Sequence, residues 1–272
     1  MMKWDFTKLS TNQYETNEHT VTEAFQGISV HTNTADIIFA RTEEDACSVV
    51  CFERSNEKHS VSVKDGTLVI EISDTRKWYE HIGIGFKTPQ ITVYLPRNEY
   101  DTLTVKSDTG DVTCYASVSE TLKIKATTGD ILLSNLSVGS LELSVSTGKI
   151  KASGVTCEGD VSVRVSTGKT NLTDMTCKSL ITKGSTGDLS LKNVVASGSF
   201  SIERSTGDVT FDGSDAAEIF VKTDTGDVEG SLLSSKVFMV TTDTGDKDVP
   251  KTVSGGRCEI ATDTGDIRIR IQ

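Results

Sequence analysis

The dipeptide Thr-Gly occurs nine times in this chain. Its glycines (Gly110, Gly129, Gly148, Gly168, Gly187, Gly207, Gly226, Gly245 and Gly265) are spaced 19 or 20 residues apart throughout. A fixed period of this length is the mark of an architecture built by stacking equivalent units, each burying its apolar face only against its neighbours.

The columns inside the repeat say which unit is stacked. Seven residues before each glycine stand Leu103, Leu122, Leu141, Val161, Leu180, Phe200, Ile219, Phe238 and Cys258; five before, the run includes Val105, Ile124, Leu143, Val163, Ile202, Val221, Val240 and Ile260. Two after stand Val112, Ile131, Ile150, Thr170, Leu189, Val209, Val228, Lys247 and Ile267; four after, Leu133, Leu172, Leu191, Phe211 and Ile269 recur with Cys114 and Ala152. Apolar residues at every second position on both sides of Thr-Gly read as strand, turn, strand, whereas a helical repeat would show a 3.6-residue period. The fold class is therefore all-β: a single-stranded β-solenoid with two short strands per 19–20-residue rung and rungs about 4.8 Å apart. Equivalent residues in consecutive rungs should stack, as Leu122 on Leu141.

Upstream the pattern weakens. Ile28–Ala40 reads as a rung with Ala35 in the glycine position, Val61–Ile70 as a hairpin across Asp65-Gly66, and Ile91–Pro96 as a further strand. The chain divides into an N-terminal extension or cap (1–26), irregular rungs with an aromatic insertion (27–100) and the regular solenoid (101–272), with 27–272 continuous. Solenoid ends need covering because they expose unpaired strand edges. The irregular N-terminal part should cover one end, and Arg268 and Arg270, alternating with isoleucines, should guard the other.

Nine TGD or TGK turns at this spacing, preceded by TPQITVYLP and a TADI rung, resemble the bacterial "putative adhesin" family of tandem TGD β-strand repeats, a domain of unknown function. The resemblance implies a β-solenoid at the bacterial cell envelope, often behind an N-terminal anchor. It implies no catalytic residues. With 28 Lys and Arg against 39 Asp and Glu, the net charge is −11, which disfavours nucleic acid or an anionic bilayer as partner. No apolar run approaches the roughly 18 residues of a membrane span, and the first residues lack a signal-like apolar core. An export signal or anchor would have to lie outside this sequence, and a cytoplasmic location stays open.

Three features could carry chemistry. The first is a column of aspartates directly after glycine (Asp111, Asp130, Asp188, Asp208, Asp227, Asp246, Asp266), interrupted by Lys149 and Lys169. Calcium-binding solenoids use Gly-rich nonapeptides instead. Glycosidase-like carboxylate spacing arises automatically on any stacked ladder, and an aspartic-protease Asp-Thr-Gly does not repeat. The column is thus read as turn chemistry, with no metal or cofactor. The second is a basic stripe four before glycine (Lys106, Lys125, Arg164, Lys183, Lys222), read as neutralising the acidic edge. The third is a set of outward apolar residues. Phe220 and Met239, on consecutive rungs, should touch, and Trp78, Tyr79 and Phe86 cluster in the insertion with His81. These five apolar residues are the candidate partner-binding positions, for a protein or carbohydrate surface ligand. The histidines are scattered, and the six cysteines hold no CxxC pair. Cys157 and Cys177, each nine residues after its glycine, should lie side by side as thiols. The leading reading is a non-catalytic surface scaffold; the alternative is a carbohydrate-active enzyme on a β-helix.

Overall fold

The computed structural model of the chain describes residues 14–54, 57–74, 88–96 and 99–272. Every regular element among them is a strand, and none is a helix long and apolar enough to cross a membrane. Strands run from one Thr-Gly turn to the next. The first half of Ile131–Thr147 pairs in parallel with Ile150–Cys157, and its second half with Asp160–Thr167. Two parallel sheets thus face each other and the Thr-Gly turns join them along one edge. Leu122 stacks on Leu141 as the period requires. Leu103, Leu122, Leu141, Val161, Leu180, Phe200 and Ile219 are all at most 2% exposed, one column of a continuous core.

The glycine in the turn is dictated by crowding as much as by conformation. Gly148 has φ of 150°, and a Cβ there would lie 2.0 Å from the carbonyl oxygen of Gly129 in the adjacent rung. That approach lets the turn glycine of one rung donate its N–H to the threonine carbonyl of the next, as Gly129 does to Thr147 at 3.0 Å.

A second corner was not visible in the period-two columns. Six residues after glycine the backbone turns left-handed at Asn135, Asp174 and Asn193 (φ 50–52°) and at Gly154 and Gly213. These residue types tolerate that conformation best. The turn shifts side-chain alternation by one: in Thr170–Cys177 the buried positions are Thr170, Leu172, Met175 and Cys177. A further apolar column, Leu136, Val155, Met175 and Val194, fills the core beyond it. Cys157 and Cys177 flank this column in register, Thr156 pairing with Thr176, and both are free thiols.

Neither end stacks in sequence order. The rung of Gly226 pairs with that of Gly265, and Gly265 with Gly245: Thr225 and Thr244 both lie opposite Thr264. The last rung in sequence is therefore inserted between the two before it; Lys236–Thr244 forms the outer edge of one sheet, while in the other Lys247–Asp248 covers only Ile267 and Arg268, so the stretch bearing Arg270 has no outer strand partner among the described residues. The apolar columns supply the reason. The inserted rung offers Cys258, Ile260, Ile267 and Ile269, all at most 1% exposed, whereas the outer rung carries Lys247, which is exposed. An inner rung is buried by a neighbour on both sides, so the richer set of side chains takes that place. Burying each isoleucine there is worth about 1.5–3 kcal/mol.

The other end repeats the device. Gly27–Thr32 pairs with Glu99–Thr109 on one side and Thr67–Asp74 on the other, and Asp36–Arg41 lies between Val112–Cys114 and Gln90–Leu95. Antiparallel strands then cover this end. Cys47–Arg54 lies on Gln90–Leu95, Tyr14–Val21 lies on Cys47–Arg54, and Glu57–Lys64 forms a hairpin with Thr67–Asp74. Asp65 (φ 49°) and Gly66 (φ 73°) make its tight turn, the geometry favoured between twisted strands.

Candidate functional site

The aspartate column is a hydrogen-bonding ladder. Oδ1 of Asp111 accepts the backbone N–H of Asp130 at 2.8 Å, and Oδ1 of Asp130 accepts that of Lys149 at 2.7 Å. Asp208 serves Asp227, Asp227 serves Asp266, and Asp266 serves Asp246, following the spatial order of the rungs. Asp36 begins the series by accepting from Asp111. Where lysine interrupts it, Lys169 Nζ instead pairs with Asp188 Oδ2 at 2.9 Å. That side-chain contact holds the Asp188 carboxyl below its ordinary range. The N–H of Asp246 does the same for Asp266.

The basic stripe borders an open depression of about 460 Å³ on the outer face of the sheet that precedes the turns. Ser166, Ser185 and Ser205 stack along it, with Arg164, Lys183 and Lys222 beside them. Lys183 is tied to Glu203 at 2.7 Å. Beneath lies a departure from the repeat. Arg204 stands three before Gly207, where other rungs carry Ser107, Ala126, Val145, Val165 and Thr223, and it is 3% exposed. Its guanidinium passes under Gly184, where a Cβ would meet Nη1 at 1.8 Å, and Nη2 reaches Thr170 Oγ1 at 3.5 Å. Nε and Nη1 have no hydrogen-bond partner. Burial pulls its pKa down to about 10.

Of the residues singled out for partner binding, Trp78, Tyr79 and Phe86 lie outside the described residues, as does His81. Phe220 and Met239 do not touch. Because the last rung is inserted, Glu259 stands opposite both and separates them. Phe220 is half-buried with the Arg257 guanidinium 5.5 Å from its ring centre, and Met239 is 42% exposed on the outermost strand.

The cap contains a polar cluster that sequence reasoning missed. Cys51 and Glu53 share one face of Cys47–Arg54, and His59 comes from the next strand. Glu53 Oε2 accepts hydrogen bonds from both the backbone N–H and the ring Nδ1–H of His59, each at 2.8 Å. Asn17 Nδ2 donates to Oε1 at 2.8 Å, and His59 Nε2 lies 3.0 Å from Thr32 Oγ1. Burial pushes the Glu53 carboxyl up, but the bonds from His59 and Asn17 outweigh it and hold it below its ordinary value. Burial, with the Glu53 charge beside it, raises the Cys51 thiol to about 12. The available signal was Cys-x-Glu at strand period, followed by a histidine just past the next turn.

A family model described as Toastrack DUF4097, a domain of unknown function, matches residues 25–193 and 158–272. The chain belongs to the Toastrack DUF4097 family. Among solved structures, this Toastrack chain resembles a putative adhesin from Bacteroides fragilis at 16% identity and a TM-score of 0.54, covering 96% of this chain and 98% of that one. A putative adhesin from Parabacteroides merdae matches at 12% identity and 0.49, covering 96% and 97%. A putative lipid binding protein from Parabacteroides distasonis matches at 14% and 0.47, covering 96% and 98%. At these identities the first likeness speaks for the fold alone. No curated protein matches the chain.

Proposed function

We propose that this Toastrack protein is a non-catalytic scaffold of the bacterial cell surface, a rigid β-solenoid that binds through its outer sheet face. The observation that carries the reading is the aspartate ladder. Six of the seven aspartates in the column, all but Asp246 on the outermost rung, accept a backbone N–H from a neighbouring rung, so they serve the turn edge. The adhesin names borne by structural relatives agree with a surface role. The ligand class that best suits the depression is an acidic glycan or acidic protein segment. Three serine hydroxyls line it, and the cations Arg164, Lys183, Lys222 and, beneath, Arg204 outnumber the carboxylates Glu203 and Asp224 there on an otherwise acidic protein; a local excess of positive charge steers anionic partners.

The test is binding of the full chain to immobilised acidic and neutral cell-surface glycans, with the same glycans assayed for cleavage. Retention of acidic glycans, weakened by salt and by Lys222→Glu, with no new reducing ends, is the expected result. Glycan cleavage that disappears in Asp227→Asn with folding intact would make the protein an enzyme and overturn the reading.

A further inference from the structure

The Cys51, Glu53 and His59 cluster in the cap points to a site unrelated to the outer sheet face. One sulfur, one carboxylate oxygen and one ring nitrogen from these residues all lie within 4.8 Å of one another. Two structural features bring them together. Alternation puts Cys51 and Glu53 on the same side of one strand, and Glu57–Lys64 delivers His59 against them from the neighbouring strand, Arg54 pairing with Glu57. Cys51 is 0%, Glu53 1% and His59 6% exposed.

The role of a simple plug does not require these residue types. The surrounding cap is filled by Phe39, Val49, Ile91 and Val93, and a well-packed apolar side chain is commonly as stabilising as a buried ionisable pair or more so, because it carries no desolvation cost. The donor set of thiol, imidazole and carboxylate is the one zinc takes, at about 2.3 Å to sulfur and about 2.0–2.2 Å to nitrogen and oxygen. Ligands at those lengths around a tetrahedral centre stand about 3.3–3.7 Å apart, inside the spread observed. The 2.8 Å contact between His59 Nδ1 and Glu53 Oε2 is short of that by about half an ångström, a movement side chains make readily. The supporting contacts are already in place: Asn17 holds the other carboxylate oxygen, and Thr32 holds the other ring nitrogen. Such partners fix ligand orientation and tautomer in metal sites.

We infer that Cys51 Sγ, Glu53 Oε2 and His59 Nδ1 form a tetrahedral site for a divalent transition metal, zinc foremost, with water as the fourth ligand. Binding displaces the Cys51 thiol proton to solvent and holds His59 as the neutral tautomer whose proton sits on Nε2 and donates to Thr32 Oγ1, leaving Nδ1 to coordinate. An ion here would tie Cys47–Arg54 to Glu57–Lys64 and so lock the cap onto the solenoid.

Cobalt(II) titration of the chelator-treated full chain tests this. The wild-type protein should develop a thiolate-to-cobalt charge-transfer band and intense visible bands of tetrahedral cobalt, both bleached by zinc. Zinc should also raise the melting temperature. Cys51→Ser should lose the charge-transfer band, while Cys47→Ser, on the same strand, should keep it. Glu53→Gln and His59→Gln should each weaken binding at least tenfold. The wild-type titration stands even if a variant folds poorly. Absence of both bands in the wild-type chain at millimolar cobalt, or a charge-transfer band that survives Cys51→Ser, would overturn the inference.

Discussion

Three glycines separate the two reasons a solenoid turn demands glycine. Gly66 has φ of 73° and open space where a Cβ would sit. At Gly139 the backbone lies outside the left-handed range, but a Cβ would come within 2.1 Å of the Ser119 carbonyl oxygen and 2.5 Å of that of Glu120. Gly148 combines both, with φ of 150° and a Cβ 2.0 Å from Gly129 O. Replacing Gly66 by alanine places a Cβ in a left-handed residue, at about 1–2 kcal/mol. Reduced freedom of the unfolded chain offsets about 0.4–1 kcal/mol of that, leaving about 1 kcal/mol. Gly139→Ala must push its rung about 1 Å from the one bearing Ser119 and Glu120 and weaken bonds between them such as Ser140 Oγ to Glu120 O, now 3.2 Å, at about 2–3 kcal/mol for two hydrogen bonds plus lost packing. Gly148→Ala loosens the bonds across the clashing pair of rungs, from Gly129 N–H to Thr147 O at 3.0 Å and from Ile131 N–H to Lys149 O at 2.8 Å. It also forces alanine into a backbone region reserved for glycine, at a further ~1–3 kcal/mol, for a total of about 3–6 kcal/mol. Urea unfolding of the three variants, read as midpoint shift at unchanged slope, should give the order Gly66, Gly139, Gly148. If Gly148→Ala falls within about 1 kcal/mol of Gly66→Ala, inter-rung crowding is not what fixes the turn residue and the reasoning fails.

Further outcomes follow from the same geometry. Cysteines placed at Thr225 and Thr264 should crosslink on mild oxidation, since paired strands bring Cα atoms to about 4.8 Å, whereas cysteines at Thr225 and Thr244, two rungs apart, should not; the reverse would restore sequential stacking. Gly184→Ala should destabilise the chain through its clash with Arg204 Nη1, yet be tolerated in an Arg204→Thr background, and a double-mutant cycle without coupling would refute the contact. Asp188 and Glu142 are held below their ordinary values chiefly by Lys169 and Lys123. A lowered folded pKa gives stability that is present above the unfolded value and lost as pH falls through the folded one. Urea midpoints should therefore drop below about pH 4, with less of a drop in Lys169→Ala, and a pH-independent midpoint would contradict this. The buried thiols, with Cys51, Cys114, Cys177 and Cys258 raised to about 12 by burial, should resist a thiol reagent until urea is added. Rapid native labelling of more than one would show the core to be open.

The sequence by itself determined the rung. Period, alternation and the Thr-Gly corner follow from local rules: which residues accept positive φ, and which faces must be dry. The Val61–Ile70 hairpin and the Ala35 rung were legible for the same reason. The left-handed corner at Asn135, Asp174 and Asn193 left a fainter trace, because three residue types share its column and the alternation simply shifts phase. What only the tertiary structure decided is which rung neighbours which. An apolar column specifies the face a strand presents and is silent on its partner, so Val228 could as well have met Lys247 as Ile267. Two-sided burial settles it, drawing Ile267 and Ile269 inward and leaving Lys247 at the edge. The same choice placed Glu259 between Phe220 and Met239. The cap cluster of Cys51, Glu53 and His59 likewise depended on how antiparallel strands fold over the end, where no repeat constrains the register and side chains distant from any motif converge.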